Sequence, residues 1–292
     1  MDKNIRSKPK KNAIRAVALF HNEDKKQAVN AVKTVRALLR KNGIKSRNAV
    51  KKVSADFLSE CEIAIAIGGD GTMLRAARSL TPHAVPLLGI NAGGLGFLSA
   101  VDLAGFKREF GRIFSGGFVI ENRWMLSVEV RRARKTIFGP QPVLNDCVVR
   151  CSDQARAVML EVESGNKCVA KYFGDGLIVA TPTGSTAYSL AVGGPVVFPG
   201  VDAFLLAPIC PHSLTSRPLM TPAWNPLTVR LVRKSDSDRP SALVALDGQM
   251  DQALNVGDEV QIRRYDKPFK LMVPPERSHF DLLRQKLKWG ER

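Results

Sequence analysis

The chain has 292 residues, room for two domains at roughly 100–200 residues each. Apolar residues make up 45% and charged residues 24%, which excludes disorder throughout, and no apolar run reaches the roughly 18 residues that a membrane-spanning helix needs. The net charge is +17, of which +13 falls in residues 1–55, where 16 Lys/Arg stand against 3 Asp/Glu.

Such a basic block can attract nucleic acid, an anionic membrane or a polyanionic substrate. No aromatic residues interleave its charges as stacking platforms, so it reads as a solvated helix face and a frayed tail. Residues 1–11 are basic, but no apolar segment of signal-peptide type follows. The five cysteines are scattered, with no Cys-x-x-Cys and no His at zinc-ligand spacing. They read as reduced cytoplasmic thiols rather than as a disulfide framework or a metal site.

In chain order, residues 14–20 predict a buried strand. Asn22 caps an expected helix over 23–41, with Ala28, Val32, Val35 and Leu38/Leu39 on one face and Gly43 closing it. Residues 62–67 predict a second strand. It runs into Gly68-Gly69-Asp70-Gly71-Thr72 and a helix over 73–80 ended by Pro82. A strand over 86–90 leads to a second glycine-rich loop at 91–96, then a helix over 102–114. Strands alternating with helices imply a parallel sheet with helices on both faces.

After Gly116-Gly117 the pattern turns to short β runs: 118–131, 143–150, 156–163, 167–173, 204–208, 227–233, 242–246 and 258–264. Turns are expected at 164–166, Asp247-Gly248 and Gly257-Asp258. Residues 278–289 return to helical spacing through Phe280, Leu283 and Leu287. The expected architecture is an α/β N-terminal domain (parallel sheet with flanking helices) over 1–117 plus an all-β C-terminal domain from 118 onward.

Three blocks carry chemistry. The loop at 68–72 lies at the carboxyl end of a strand, where an α/β sheet places its ligand, and its glycines let backbone N–H groups approach phosphate. Asp70 would repel phosphate there unless it binds Mg²⁺ or accepts a proton from an attacking hydroxyl; the bland alternative is an Asp in a tight turn. The second block is Gly174-Asp175-Gly176, a strand over 177–180, and the hydroxyl-rich run 181–189, which suits capping or a polar ligand, with Tyr188 offering an aromatic face. The third is Asn145-Asp146 among Val143, Leu144, Val148 and Val149: a turn between strands, or a binding pair.

Together with 89–91, 94–98, 208–214 and 216–218, these blocks resemble the NAD kinase family in order and spacing from about residue 60 to 250. The run 175–188 is the most specific; the Asp70 loop alone also resembles lipid kinases and phosphofructokinase-like enzymes. The resemblance implies phosphoryl transfer from ATP, or polyphosphate in some members, to NAD with Mg²⁺ or another divalent cation, at a site between the domains. It implies that the C-terminal segment, about 270–292, returns to the first domain, 1–117, leaving 118–269 as the second, and a homo-oligomer, dimer or tetramer, acting on small molecules with neither nucleic acid nor membrane as partner.

By the same resemblance Asp70 is the general base on the adenosine ribose 2′-hydroxyl, and Gly68, Gly69, Gly71, Thr72 and Arg75 accompany it. Asn145, Asp146, Arg156, Phe173, Asp175, Thr186, Ala187, Tyr188, Ser189, Leu190, Ala191 and Gln249 hold the substrate; no residue is assigned to a resident metal. Two positions depart from the family: Asp146 stands where Glu is usual, and Phe173 where many members carry Arg. An aromatic residue there implies wider tolerance for the reduced dinucleotide. The rival functions are a lipid kinase of the same superfamily and a non-catalytic dinucleotide sensor that binds DNA through the basic N-terminus.

Overall fold

The computed structural model describes residues 6–7, 14–49, 55–93, 96–152, 157–165, 167–235, 237 and 240–289. It divides into two compact units, Met1–Arg123 with Lys267–Arg292, and Trp124–Asp266.

In the first unit, the strands Ala16–His21, Ile63–Gly68 and Leu87–Asn91 are buried almost throughout, as central parallel strands covered on both faces must be. The sheet runs in the order Arg6–Ser7, Val119–Arg123, Phe269–Val273, Leu87–Asn91, Ile63–Gly68, Ala16–His21, Lys45–Asn48, with Val101–Asp102 also beside Leu87–Asn91. Phe269–Val273 pairs parallel with Leu87–Asn91 and antiparallel with Val119–Arg123, so the C-terminal segment completes the middle of this sheet. The tail residues Arg6 and Ser7 pair with Glu121 and Ile120 at its edge, which the reading of a frayed tail missed.

The helix Lys26–Lys41 buries Ala28, Ala31, Val32, Val35 and Leu39 on one sheet face, together with Phe106 and Ile113. On the opposite face Gly89 meets Met73 of the helix Asp70–Leu80. Local chemistry moves several boundaries. Asn22 accepts the Asp24 N–H at 3.0 Å in a turn of its own, so the helix begins at Lys26 rather than 23. The helix expected over 102–114 is two, Leu103–Arg108 and Phe110–Phe114, with Asp102 capping the first by accepting the Gly105 N–H at 2.6 Å. The run 118–131 is two strands in different sheets, Val119–Arg123 and Leu126–Arg132. In the last helix, His279–Leu287, Leu282 and Leu283 are buried while Phe280 is exposed, against the expected face.

The second unit is two six-stranded antiparallel sheets. One runs Leu219–Pro222, Ala203–Ile209, Gly176–Ala180, Asp146–Cys151, Ala242–Leu246, Met250–Leu254. The other runs Lys167–Gly174, Val158–Ser164, Leu227–Val232, Glu259–Arg264, Leu126–Arg132, Lys135–Val143. Side chains alternate across each strand. Cys147, Val149, Leu177, Val179, Leu206 and Val244 join the core shared with the second sheet. Val148, Ile178, Ala180, Leu205 and Ala245 face the other way, under a separate apolar layer with Val197. Among the described residues no helix is long and apolar enough to cross a membrane.

Candidate active site

The strand Ile63–Gly68 passes through Gly69, which caps the helix Asp70–Leu80. The helix thus starts three residues before the expected position, and Asp70 occupies its first turn, where a negative charge meets the positive end of the helix dipole. The Asp70 carboxylate reaches the second glycine-rich loop: Oδ2 accepts the Phe97 N–H at 3.2 Å and Oδ1 accepts the Leu98 N–H at 3.3 Å. A Cβ at Gly96 would overlap that carboxylate, so only glycine admits it there. The loop is tied down by Gly96 N–H to Ser99 Oγ (3.1 Å), Ala100 N–H to the Gly89 carbonyl (2.8 Å) and Arg277 Nη2 to the Phe97 carbonyl (2.7 Å). Two acceptor oxygens, each with one amide donor, keep lone pairs free to accept a hydroxyl proton. Arg75 donates to the His21 carbonyl, bracing the helix on the neighbouring strand.

In the β unit a cleft of about 530 Å³ opens on the sheet face away from the sandwich core. Its floor is one cross-strand row, Val148–Ala245–Asp251, with Asp146 and Arg150 at alternate positions of the same strand. Asn145, Asp146, Ala187 and Tyr188 line it, so the structure brings these four expected site residues together. Asp247, Gly248, Arg150 and Asp251 also line it and were not singled out from sequence. Asp247-Gly248 was legible only as a turn, both residues having positive φ as a type I′ turn requires, closed by Gln249 N–H to the Leu246 carbonyl at 2.9 Å.

The buried Asp247 carboxylate organises the bend that carries Asn145 and Asp146. Oδ2 accepts the Leu144 N–H (3.1 Å), and Oδ1 accepts those of Asn145 (2.7 Å) and Asp146 (3.2 Å). On the other side Thr181 donates Oγ1–H to the Leu144 carbonyl (2.6 Å) and its N–H to the Asn145 carbonyl (2.9 Å). Gly184 packs so close to the Asn145 carbonyl that a Cβ would collide with it. Asp146 sits at the start of a strand, not inside a turn, and accepts the Tyr188 N–H. Burial, and then the charge of Asp247, push the Asp146 carboxyl up to about 7.

Much of the hydroxyl-rich run serves the fold. Ser185 donates to the Pro182 carbonyl (2.7 Å) and accepts the Val197 N–H (3.0 Å), and Thr186 bonds back to the Thr183 carbonyl (3.3 Å). Ser189 is fully buried against Gly194; Leu190 and Ala191 follow in the same short helix, Tyr188–Ala191. Tyr188 is 43% exposed at the cleft. Gln249 is exposed beyond the turn, and Arg156 lies outside the described residues. Asp175 is exposed and accepts a hydrogen bond from the Cys210 thiol, which raises that thiol. Phe173 does not enter the sandwich core; its ring meets His212 edge-on (4.7 Å between centroids), with the Lys234 ammonium 4.2 Å from its centre.

The sequence matches the family model of the ATP-NAD kinase N-terminal domain over residues 16–118 and that of the C-terminal domain over 144–273. A protein named NAD kinase from Koribacter versatilis (strain Ellin345) is 44% identical over 231 residues, 79% of this chain and 79% of its own length. Among solved structures, yeast NADH kinase complexed with NADH superposes with a TM-score of 0.88 at 22% identity, covering 96% of this chain and 89% of that one. An NAD kinase from Archaeoglobus fulgidus in complex with ATP gives 0.75 at 24% identity, covering 94% and 98%. At these identities the two structures establish a shared fold.

Proposed function

The chain belongs to the NAD kinase family, and from that membership we propose that it transfers the terminal phosphoryl group of ATP to the 2′-hydroxyl of the adenosine ribose of NAD, giving ADP and NADP. The observation that carries this reading is the Asp70 carboxylate, held by two consecutive amides at the mouth of a Gly-Gly helix start. Asp70 aligns the 2′-hydroxyl and takes its proton as the ribose oxygen attacks the γ-phosphorus and the bond to the β-phosphate oxygen breaks. Backbone N–H groups at the Gly69–Asp70 start of that helix receive the donor phosphates. The cleft of the β unit takes the dinucleotide: Asn145 and Asp146 face its sugar hydroxyls and Tyr188 its rings.

Mg²⁺ belongs to this reading as part of the ATP substrate. Among the described residues no three His, Cys, Asp or Glu side chains converge as a resident cage, and Mg²⁺ is commonly held by phosphate oxygens with one or two carboxylates. Polyphosphate is an alternative donor for the same loop. Acceptance of NADH beside NAD follows from Phe173, whose face already carries the Lys234 cation and so gives the positive nicotinamide ring little extra attraction. Cytoplasmic residence and a homo-oligomer complete the proposal. The free state of all five cysteines supports the first, and exposed Leu214 and Trp224 near the edge strand Leu219–Pro222 offer a surface for the second.

The test is an assay of purified protein with Mg²⁺ and ATP, running NAD and NADH side by side and detecting the 2′-phosphorylated product. Asp70→Asn keeps the side-chain size but cannot take the proton, so turnover should fall by about 10²–10⁴-fold in a variant that still folds. A loss of less than about tenfold in a folded variant removes Asp70 from the role of base.

A further inference from the structure

Arg277 lies on the segment between the strand Phe269–Val273 and the helix His279–Leu287, 180 residues along the chain from the loop it touches. Its Nη2 donates to the Phe97 carbonyl oxygen at 2.7 Å, a charge-assisted bond in a half-buried setting. That carbonyl and the Leu98 N–H belong to one planar peptide group, and the Leu98 N–H is one of the two amides that hold the Asp70 carboxylate. The carbonyl and the N–H of a trans peptide point in opposite directions. Fixing one therefore fixes the other, and a charged donor on the oxygen also strengthens what the N–H donates. If this peptide turned over, its carbonyl oxygen would face the Asp70 carboxylate, and like partial charges would drive the side chain away. The other ties of the loop, at Ser99 and Ala100, act beyond this peptide.

We propose that Arg277 is a positioning residue for Asp70: by gripping the Phe97 carbonyl it sets the plane of the Phe97–Leu98 peptide and so the direction in which the Asp70 carboxylate meets the substrate hydroxyl. The inference rests on the reading of Asp70 as the base. It assigns to the returning C-terminal segment a part in turnover as well as in the sheet.

The experiment is a double-mutant cycle on the full chain, with Arg277→Met, Arg277→Lys, Asp70→Asn and Asp70→Asn/Arg277→Met. Arg277→Met should lower kcat by about tenfold to a hundredfold, the scale of a misplaced catalytic group, with KM for ATP and for NAD moved less than about threefold, since neither substrate is bound by Arg277. Arg277→Lys, which keeps a charged donor, should recover most of that loss. The double variant should be no slower than Asp70→Asn alone, because the Arg acts through the carboxylate already removed. A kcat within about twofold of wild type for Arg277→Met, losses that multiply in the double variant, or no recovery with Lys overturns the proposal. If Arg277→Met does not fold, the cycle is run with Arg277→Gln, whose shorter, neutral side chain cannot make the charged bond, and full multiplicativity there overturns it equally. A folded Asp70→Asn that stays active within about tenfold defeats the reading of Asp70 instead, so the two failures are distinguishable.

Discussion

Two titratable side chains, the buried Asp146 and the half-buried His279, pull the stability of the protein in opposite directions with pH. Asp146 is pushed up to about 7 by burial and by the Asp247 charge, so between about pH 4 and pH 7 the folded state keeps a proton that the unfolded chain releases. Its contribution to stability falls as pH rises through that window. His279 is pushed down to about 4 by burial and then by Arg123 and Arg277, so the unfolded chain takes up a proton first as pH falls below its ordinary 6.5. Its contribution falls as pH drops from 6.5 toward 4. The melting temperature of Asp146→Asn relative to wild type should therefore climb from pH 4 to pH 7, and that of His279→Gln should climb in the reverse direction. A pH-independent offset in either variant contradicts the assignment. At this scale the sequence made Asp70, Asn145, Asp146 and Tyr188 legible, because unusual polar residues stand out beside apolar strands. Asp247 and Arg277 were not legible. Their partners lie 101–103 and 180 residues away, and no local pattern records which backbone groups a distant turn or tail will meet.

Two glycines separate what the elements need from what a ligand needs. Gly69 caps the helix Asp70–Leu80 with ordinary negative φ, and a Cβ there would touch nothing within 4 Å. Gly184, in the turn Thr183–Thr186, has the Asn145 carbonyl against it. Gly69→Ala should leave the melting temperature within about a degree of wild type, yet raise KM for ATP, because the methyl group blocks phosphate rather than protein. Gly184→Ala should cost about 1–3 kcal/mol through overpacking, and it should raise KM for NAD by displacing Asn145. Equal melting temperatures for the two variants would break this distinction. The central strands were legible as continuous apolar runs. Lys135–Val143, Leu219–Pro222 and Met250–Leu254 were not: they are outer strands, two of them containing Pro and the third breaking apolar alternation with the adjacent Asp251 and Gln252, and they are ordered by their neighbours rather than by their own propensity.

The two units differ in how much of themselves they carry in one stretch of chain. Trp124–Asp266 is continuous and owns a complete sandwich core, so residues 124–266 expressed alone should fold and melt cooperatively. Residues 1–123 alone should not, because the strand between Leu87–Asn91 and Val119–Arg123 would be missing; calorimetry and amide exchange on the two fragments check both outcomes. The α/β order at the start and the β-rich middle were visible in sequence, and the re-entry of the end was implied by the family resemblance. That a tail strand fills the middle of the first sheet was not visible: Phe269–Val273 was not among the expected strands, and a five-residue run carries no mark of the partners it will take. The consequence reaches into biosynthesis. A ribosome adding about 5–20 residues per second needs about 7–30 s to pass from Arg123 to Phe269. Throughout that interval the nascent α/β unit waits with an unpaired strand edge on each side of a gap, while the inserted β unit has everything it needs to fold. The later-made unit is thus able to finish first, and the open edges in the waiting sheet are where a holding chaperone would act on the growing chain.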